Sequence, residues 1–175
     1  MLLTGTYVRT LDEKGRFSVP KRLRDALPNG VIYVAPGTDG SLSLYPEPTF
    51  SELAQTLQQG SPAGQDVRAF SRLFYAQSDR LELDAQGRVR VPPELGRLGR
   101  LEAVNEVVLI GVGDHLEVWN RFAWEDYLSD KQRRYDQIAE NAFDRGTGTQ
   151  ESGTGTQEKQ EGEEQDPRTL QPRPR

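Results

Sequence analysis

The stretch LDEKGRFSVPKRL at residues 11–23 returns as LDAQGRVRVPPEL at residues 83–95, seventy-two positions later. Seven of the thirteen aligned positions are identical. A match this dense in so short a window marks an internal duplication. It constrains the fold more than any other feature, because each half must be readable as the same order of elements.

That order is legible in both halves. TGTYVRTL and RFSV are extended segments around the polar DEKG, and they predict a hairpin with Gly15 at the positive-φ position. Pro20 suits a helix N1 position, and PKRLRDAL predicts a short helix through Leu23 and Leu27. VIYVAPG and SLSLYP predict strands joined at Asp39-Gly40. PTFSELAQTLQQG predicts a helix with Phe50, Leu53 and Leu57 on one face. In the second half SDRLELDAQGRVRV predicts the hairpin, PPELGRL the short helix, and NEVVLIGVGD and HLEVWN the two strands. RFAWEDYLSDKQRRYDQIAENAF predicts one long helix. Between the halves, GQDVRAFSRLFYAQ is amphipathic through Val67, Phe70, Leu73 and Phe74.

Two β-rich units of about 70 residues are too small to bury much apolar surface alone. The expected solution interleaves them, hairpins of one half completing the sheet of the other. The expected organisation is repeat 1 at 1–60, a connecting helix at 61–77, repeat 2 at 78–143 and a disordered tail at 144–175. The tail repeats GTGTQE, turns acidic, and has Leu170 as its single large apolar residue. It has too little to bury to offset its ordering entropy.

The 175 residues include no cysteine, which excludes disulfides, thiolate metal sites and cysteine nucleophiles. With no signal peptide and no apolar run of membrane-spanning length, the chain is expected to be soluble and cytoplasmic. The net charge of -5 hides a pattern. Residues 1–25 hold six Lys or Arg against three Asp or Glu, and residues 84–100 hold four against two. Scattered charge is ordinary on a surface, but excess at equivalent repeat positions is a localised electrostatic footprint.

No catalytic constellation accompanies it. The single histidine, His115, falls in an expected turn between strands, and GVGD at 111–114 reads as a turn rather than a phosphate cradle. No common nucleophile, zinc or nucleotide motif occurs. No enzyme activity, cofactor or metal is expected. Asp12 and Asp84 each precede an arginine by four residues, a spacing that suits an Asp–Arg pair or an Asx-turn. A solvated turn would explain one such loop. Two of them, each leading into VP and a helix, point to a reader of nucleic acid. In that reading Asp12 and Asp84 hold the loops, and Gly15 and Gly87 let the backbone turn. Arg16 and Arg88 project for phosphate or guanine contacts. Lys14, Arg9, Lys21, Arg22 and Arg24 are near enough in sequence to position the protein on the backbone.

The paired D-x-x-x-R motifs DEKGR and DAQGR, each followed by a strand and VP, resemble the MraZ family of bacterial transcriptional regulators. TGTYVRTLDEKGRFSVPKRLRDAL, LSLYP and LEVWN are similar to the family pattern as well, and the likeness covers residues 1–143. The resemblance implies an α+β, β-rich fold of two AbrB-like swapped-hairpin β-barrel units. These would form a pseudo-dimer within one chain, with flanking helices. It implies a nucleoid-associated repressor of the division and cell wall operon. The protein would assemble as a homo-oligomeric ring and bind direct repeats in double-stranded DNA upstream of its own gene. Arg16 and Arg88 become the motif arginines, with Lys14, Arg9 and Arg90 as further DNA-binding residues and Asp12, Gly15, Asp84 and Gly87 as their supports. The second motif has Gln86 where the first has Lys14, so the first loop is expected to dominate phosphate binding, Arg90 offsetting part of the loss. Two other readings stand beside this one: an AbrB-like antitoxin, and an oligomeric protein-binding scaffold that touches no DNA.

Overall fold

The computed structural model describes residues 2–59, 64–102 and 104–144, and it forms two units, Met1–Tyr135 and Asp136–Arg175. The first unit is built in two like halves. The first half runs β1 (Leu3–Thr10), β2 (Arg16–Ser18), α1 (Lys21–Arg24), β3 (Val31–Pro36), β4 (Leu42–Pro46) and α2 (Glu47–Gln59). After α3 (Gln65–Ala76), the second half repeats the series as β5 (Asp79–Glu82), β6 (Arg88–Arg90), α4 (Pro93–Leu98), β7 (Glu106–Gly113), β8 (Leu116–Asn120) and α5 (Arg121–Gln132). The last helix, α6 (Tyr135–Asp144), starts on the final residue of the first unit, and its residues 136–144 are the described part of the second. The expected disordered tail lies outside the described residues apart from Asp144, which ends α6.

Among the described residues, six strands form one sheet in the order β1-β7-β8-β4-β3-β5, and the other two form a ribbon, β2-β6. Every pairing is antiparallel. The order reads the same from either end once the halves are exchanged, so the duplication is expressed as a pseudo-twofold axis between β4 and β8. Only β3-β4 and β7-β8 are sequential hairpins. The tight turn of the first is built from Asp39 and Gly40, with φ of 56° and 87°, and Ser41 N donates to Thr38 O at 3.0 Å. Positive φ at both central positions matches the twist of the flanking strands.

The interleaving is as expected, but the local hairpins are not. TGTYVRTL does not pair with RFSV: β1 pairs along its length with β7, Leu3 opposite Gly113 and Thr10 opposite Glu106. β5 likewise leaves β6 and joins β3, with Ile32 opposite Leu81. The turn at residues 12–15 closes locally, yet its arms diverge. Leu11 N bonds Asn105 O in the other half, and Leu83 N bonds Gly30 O. Each half therefore supplies one edge strand to the other half's sheet.

Alternation explains the layers. Ile32, Val34, Leu42, Leu44, Val107, Leu109, Leu116 and Val118 face a single core, closed on the other side by Phe17 and Val89 of the ribbon and by Leu23 and Leu95 of α1 and α4. The opposite sheet face is covered by helices. Phe50 of α2 stacks on Tyr33 with ring centroids 4.4 Å apart, and Trp119 meets Trp124 and Tyr127 of α5 at 5.5 and 5.0 Å. Asn120 caps α5, its side chain accepting from Phe122 N at 2.9 Å and donating to Arg100 O at 2.8 Å.

Three further differences from the expected elements are local. The long helix expected over 121–143 is two helices, α5 and α6. The ladder tightens after Gln132, where Arg134 N reaches Lys131 O at 3.0 Å. Pro20 sits one residue before the first helical position, at the N-cap of α1, and Pro93 takes the first position of α4. On α3 only Phe74 is buried, while Phe70 and Leu73 of the same amphipathic face are exposed.

Candidate nucleic-acid interface

Each duplicated loop is organised by its aspartate. In the first, Gly15 N donates to Asp12 O at 2.8 Å, and Asp12 N donates to Arg16 O at 2.9 Å. Gly15 takes a φ of 69°, which a residue with a side chain adopts only under strain. The Asp12 side chain does the rest. Its Oδ1 accepts from Lys14 N and Arg16 N, both at 2.9 Å. Its Oδ2 accepts from Arg16 Nε at 2.8 Å, with Nη2 at 2.7 Å. The second loop repeats this arrangement almost bond for bond. Gln86 N and Arg88 N donate to Asp84 Oδ1 at 2.9 Å, Arg88 Nε donates to Oδ2 at 2.8 Å, and Gly87 has a φ of 73°.

The electrostatics follow from these bonds. The Arg16 hydrogen bond, foremost, holds the Asp12 carboxyl down at about 2, with the backbone N–H groups of Arg16 and Lys14 adding to it against some desolvation. Asp84 is lowered too, chiefly by the Arg88 backbone N–H. Asp12 in turn raises Arg16. Each carboxylate engages one edge of its guanidinium, Nε and Nη2. The outer edge stays available for a second bidentate partner, and its direction is fixed.

The two loops sit at opposite ends of the ribbon. Gly15 O accepts from Val91 N and Gly87 O from Val19 N, both at 2.9 Å. Arg16 lies opposite Arg90, Phe17 opposite Val89, and Ser18 opposite Arg88. Cross-strand partners share a face, so Arg16, Ser18, Arg88 and Arg90 stand together on the outer side. Phe17 and Val89, each no more than 1% exposed, anchor the inner side in the core. The like-charged pair Arg16–Arg90 is relieved by Asp12. With about 3.4 Å per residue, the four steps from Gly15 to Val19 separate the loops by roughly 14 Å.

The structure thus brings together Arg16, Arg88 and Arg90 with Asp12, Asp84, Gly15 and Gly87. Lys14 is exposed on the first loop. Arg9 is not on the ribbon: it lies on β1, with Nη1 bonded to Val8 O at 2.9 Å and its guanidinium carbon 5.6 Å from the Tyr7 ring centre. Lys21 and Arg22 are exposed on α1. Arg24 lies against the second loop, packed over Gly87. Sequence proximity assigns Arg24 to the first loop. The signal that would have placed it is the strand exchange, since Val19 N bonds Gly87 and carries α1 across. His115 is stacked on Tyr45 at 4.7 Å and bonded to Asp114, in the β7-β8 turn. Among the described residues no acidic or imidazole cluster is placed to hold a metal ion, and no helix is long and apolar enough to cross a membrane.

Comparison with known proteins agrees with this double architecture. The family model described as "MraZ protein, putative antitoxin-like" matches twice, over residues 2–73 and 74–146. A protein of Moorella thermoacetica named transcriptional regulator MraZ is 37% identical over 144 residues, covering 82% of this chain and 98% of that protein. Proteins of the same name from Alkaliphilus oremlandii and Mycobacterium avium are each 36% identical, covering 83% and 81% of this chain and 99% and 96% of their own.

Proposed function

The chain belongs to the MraZ family, and from that premise we propose that it is a sequence-specific double-stranded DNA-binding repressor. It acts on the division and cell wall operon, at direct repeats upstream of its own gene, as a ring-shaped homo-oligomer at the nucleoid. The relatives' shared name supports a transcriptional regulator. The single observation that carries the DNA-binding reading is the ribbon, with three arginines on its outer face and a core-anchored inner face. A two-stranded ribbon fits the major groove, about 12 Å wide, and the roughly 14 Å between the loops is close to that width. The two aspartates orient Arg16 and Arg88 before DNA arrives, so these two lose little side-chain entropy on binding. A ring would present the same ribbon to successive boxes and turn weak single contacts into avid binding. The proposed repeat boundaries are 1–60 and 78–143, joined through 61–77, with a tail beyond. No catalytic role or cofactor is part of this reading.

The test is fluorescence anisotropy with the upstream duplex and a scrambled duplex across a salt series. The expected result is preference for the native duplex, with log affinity falling steeply against log salt, and loss of that preference in Arg16→Ala and Arg88→Ala. Unchanged affinity in Arg16→Ala would remove that residue from the interface. The absence of any binding at low salt would reject the reading in favour of a protein-binding scaffold. Co-purification of a small toxin would instead favour the antitoxin that the family description names.

A further inference from the structure

The two loops are not equivalent, and the difference has a compensating side. The first loop carries Lys14, and the second carries Gln86 in its place. Taken alone, the second loop has no cation besides Arg88. The fold, however, brings α1 of the first half onto it. Gly87 is buried, and a Cβ added there would lie 2.6 Å from Arg24 Cζ and 2.7 Å from Cδ, with Nη1 closer still. A glycine at this position is what lets the Arg24 side chain lie over the loop.

Arg24 also has no ion-pair partner among the described residues, and its Nε is buried with no hydrogen-bond partner. Asp84, the loop's own acid, is committed to Arg88. A half-buried guanidinium in this state is unfavourable until an anion meets it. The reverse relation does not hold. Gly96 stands at the position equivalent to Arg24, and the first loop borders an open cleft of about 420 Å³ lined by Gly15 and Gly96 among others.

We propose that Arg24, carried by the first repeat, supplies the second repeat's loop with its missing cation and binds a backbone phosphate diester there. Lys14, from its own turn, then serves the first loop beside Arg16 and Arg90, and Arg24, from across the pseudo-twofold axis, serves the second beside Arg88. The proposal rests on the DNA-binding reading. It differs from it in kind, because a phosphate contact positions the protein without reading bases.

The experiment uses the full chain, the upstream and scrambled duplexes, and salt from 50 to 200 mM. The proteins are wild type, Arg24→Gln, Arg24→Lys, and Arg24→Gln with Gln86→Lys. For each subunit engaged, Arg24→Gln lowers the log–log salt slope by about 0.9, so the affinity lost across that fourfold salt range shrinks by about 3.5-fold. Both duplexes weaken alike, leaving their affinity ratio unchanged. Arg24→Lys keeps the slope, and Gln86→Lys restores it in the Arg24→Gln background. If Arg24→Gln does not fold, Arg24→Met replaces it, since it keeps the aliphatic stem over Gly87 and removes only the charge. A folded charge-removing variant with the wild-type slope overturns the proposal alone, and so does failure of Gln86→Lys to restore it. Wild-type protein that binds neither duplex at low salt overturns the DNA-binding reading, and this proposal falls with it.

Discussion

Gly15→Ala and Gly87→Ala are the same chemical change at equivalent positions of the two loops, and they are expected to differ in cost. Both place an L-residue at positive φ, 69° and 73°, at a cost of about 1–2 kcal/mol. At Gly15 the new methyl meets only Val91 O, at 3.3 Å, which a shift of a few tenths of an ångström accommodates. At Gly87 it lands on the Arg24 side chain. The arginine must swing away, its stem loses its packing over the loop, and the cost rises by about 1 kcal/mol, within the range for residues in contact. For a chain of this length that excess is about 2–4 °C in Tm. The assay is thermal and urea unfolding of a double-mutant cycle over Gly87→Ala and Arg24→Ala. Once Arg24 is truncated, Gly87→Ala should cost no more than Gly15→Ala, which gives a coupling of about 1 kcal/mol. Additive effects within about 0.3 kcal/mol, or a larger loss from Gly15→Ala, would refute the claim that Arg24 is energetically seated on the second loop.

Acid should act through the loop carboxylates. Asp12 is held at about 2 against an ordinary value of 3.8, so its contribution to stability is fully present above 3.8 and is lost as pH falls toward 2. Wild type and Asp12→Asn should therefore differ in urea midpoint at pH 6 and converge near pH 2; parallel pH profiles would show that the bond to Arg16 adds nothing. Phe17→Ala removes a side chain 1% exposed beneath the ribbon and should cost about 3–5 kcal/mol in urea unfolding, against under about 1.5 for Phe17→Leu. A loss below about 1 kcal/mol in Phe17→Ala would mean the ribbon is not seated on the core. Asn120→Ala removes the cap of α5 and should cost about 1 kcal/mol, with Asn120→Asp recovering most of it. Equal losses in the two variants would point to the bond to Arg100 O instead of the cap.

Much of this fold is written locally. Leu, Val and Ile at alternating positions mark β3, β4, β7 and β8, and Asp39-Gly40 marks its turn, because these choices depend on near neighbours. The loop motif is legible for the same reason: an aspartate four residues before an arginine, with glycine between, closes its own hydrogen bonds. Strand partnership is different. Nothing in LTGTYVRT distinguishes β2 from β7 as its neighbour. Leu3, Tyr7 and Arg9 alternate toward one side whichever strand lies alongside, so the choice is made by a core assembled from both halves. The placement of Arg24 on Gly87 is lost with it, since that contact exists only after the exchange. The division between α5 and α6 escapes for a smaller reason. An i→i+3 bond at Lys131–Arg134 leaves no mark in an otherwise continuous helical pattern.

The exchange of edge strands also governs when the chain can fold as it is made. β1 leaves the ribosome about 100 residues ahead of its partner β7, which is encoded at residues 106–113. At about 5–20 residues per second, β1 waits on the order of 5–20 s for it. Through that interval Leu3 and Tyr7 have no partner strand to join, and for the earlier part of it, until residues 79–82 are made, β3 lacks its own neighbour β5 as well. No folded half-protein can form early and wait for the second. A ribosome stalled before residue 106 would release a chain in which β1 has no partner, and its open strand edge could pair with other chains.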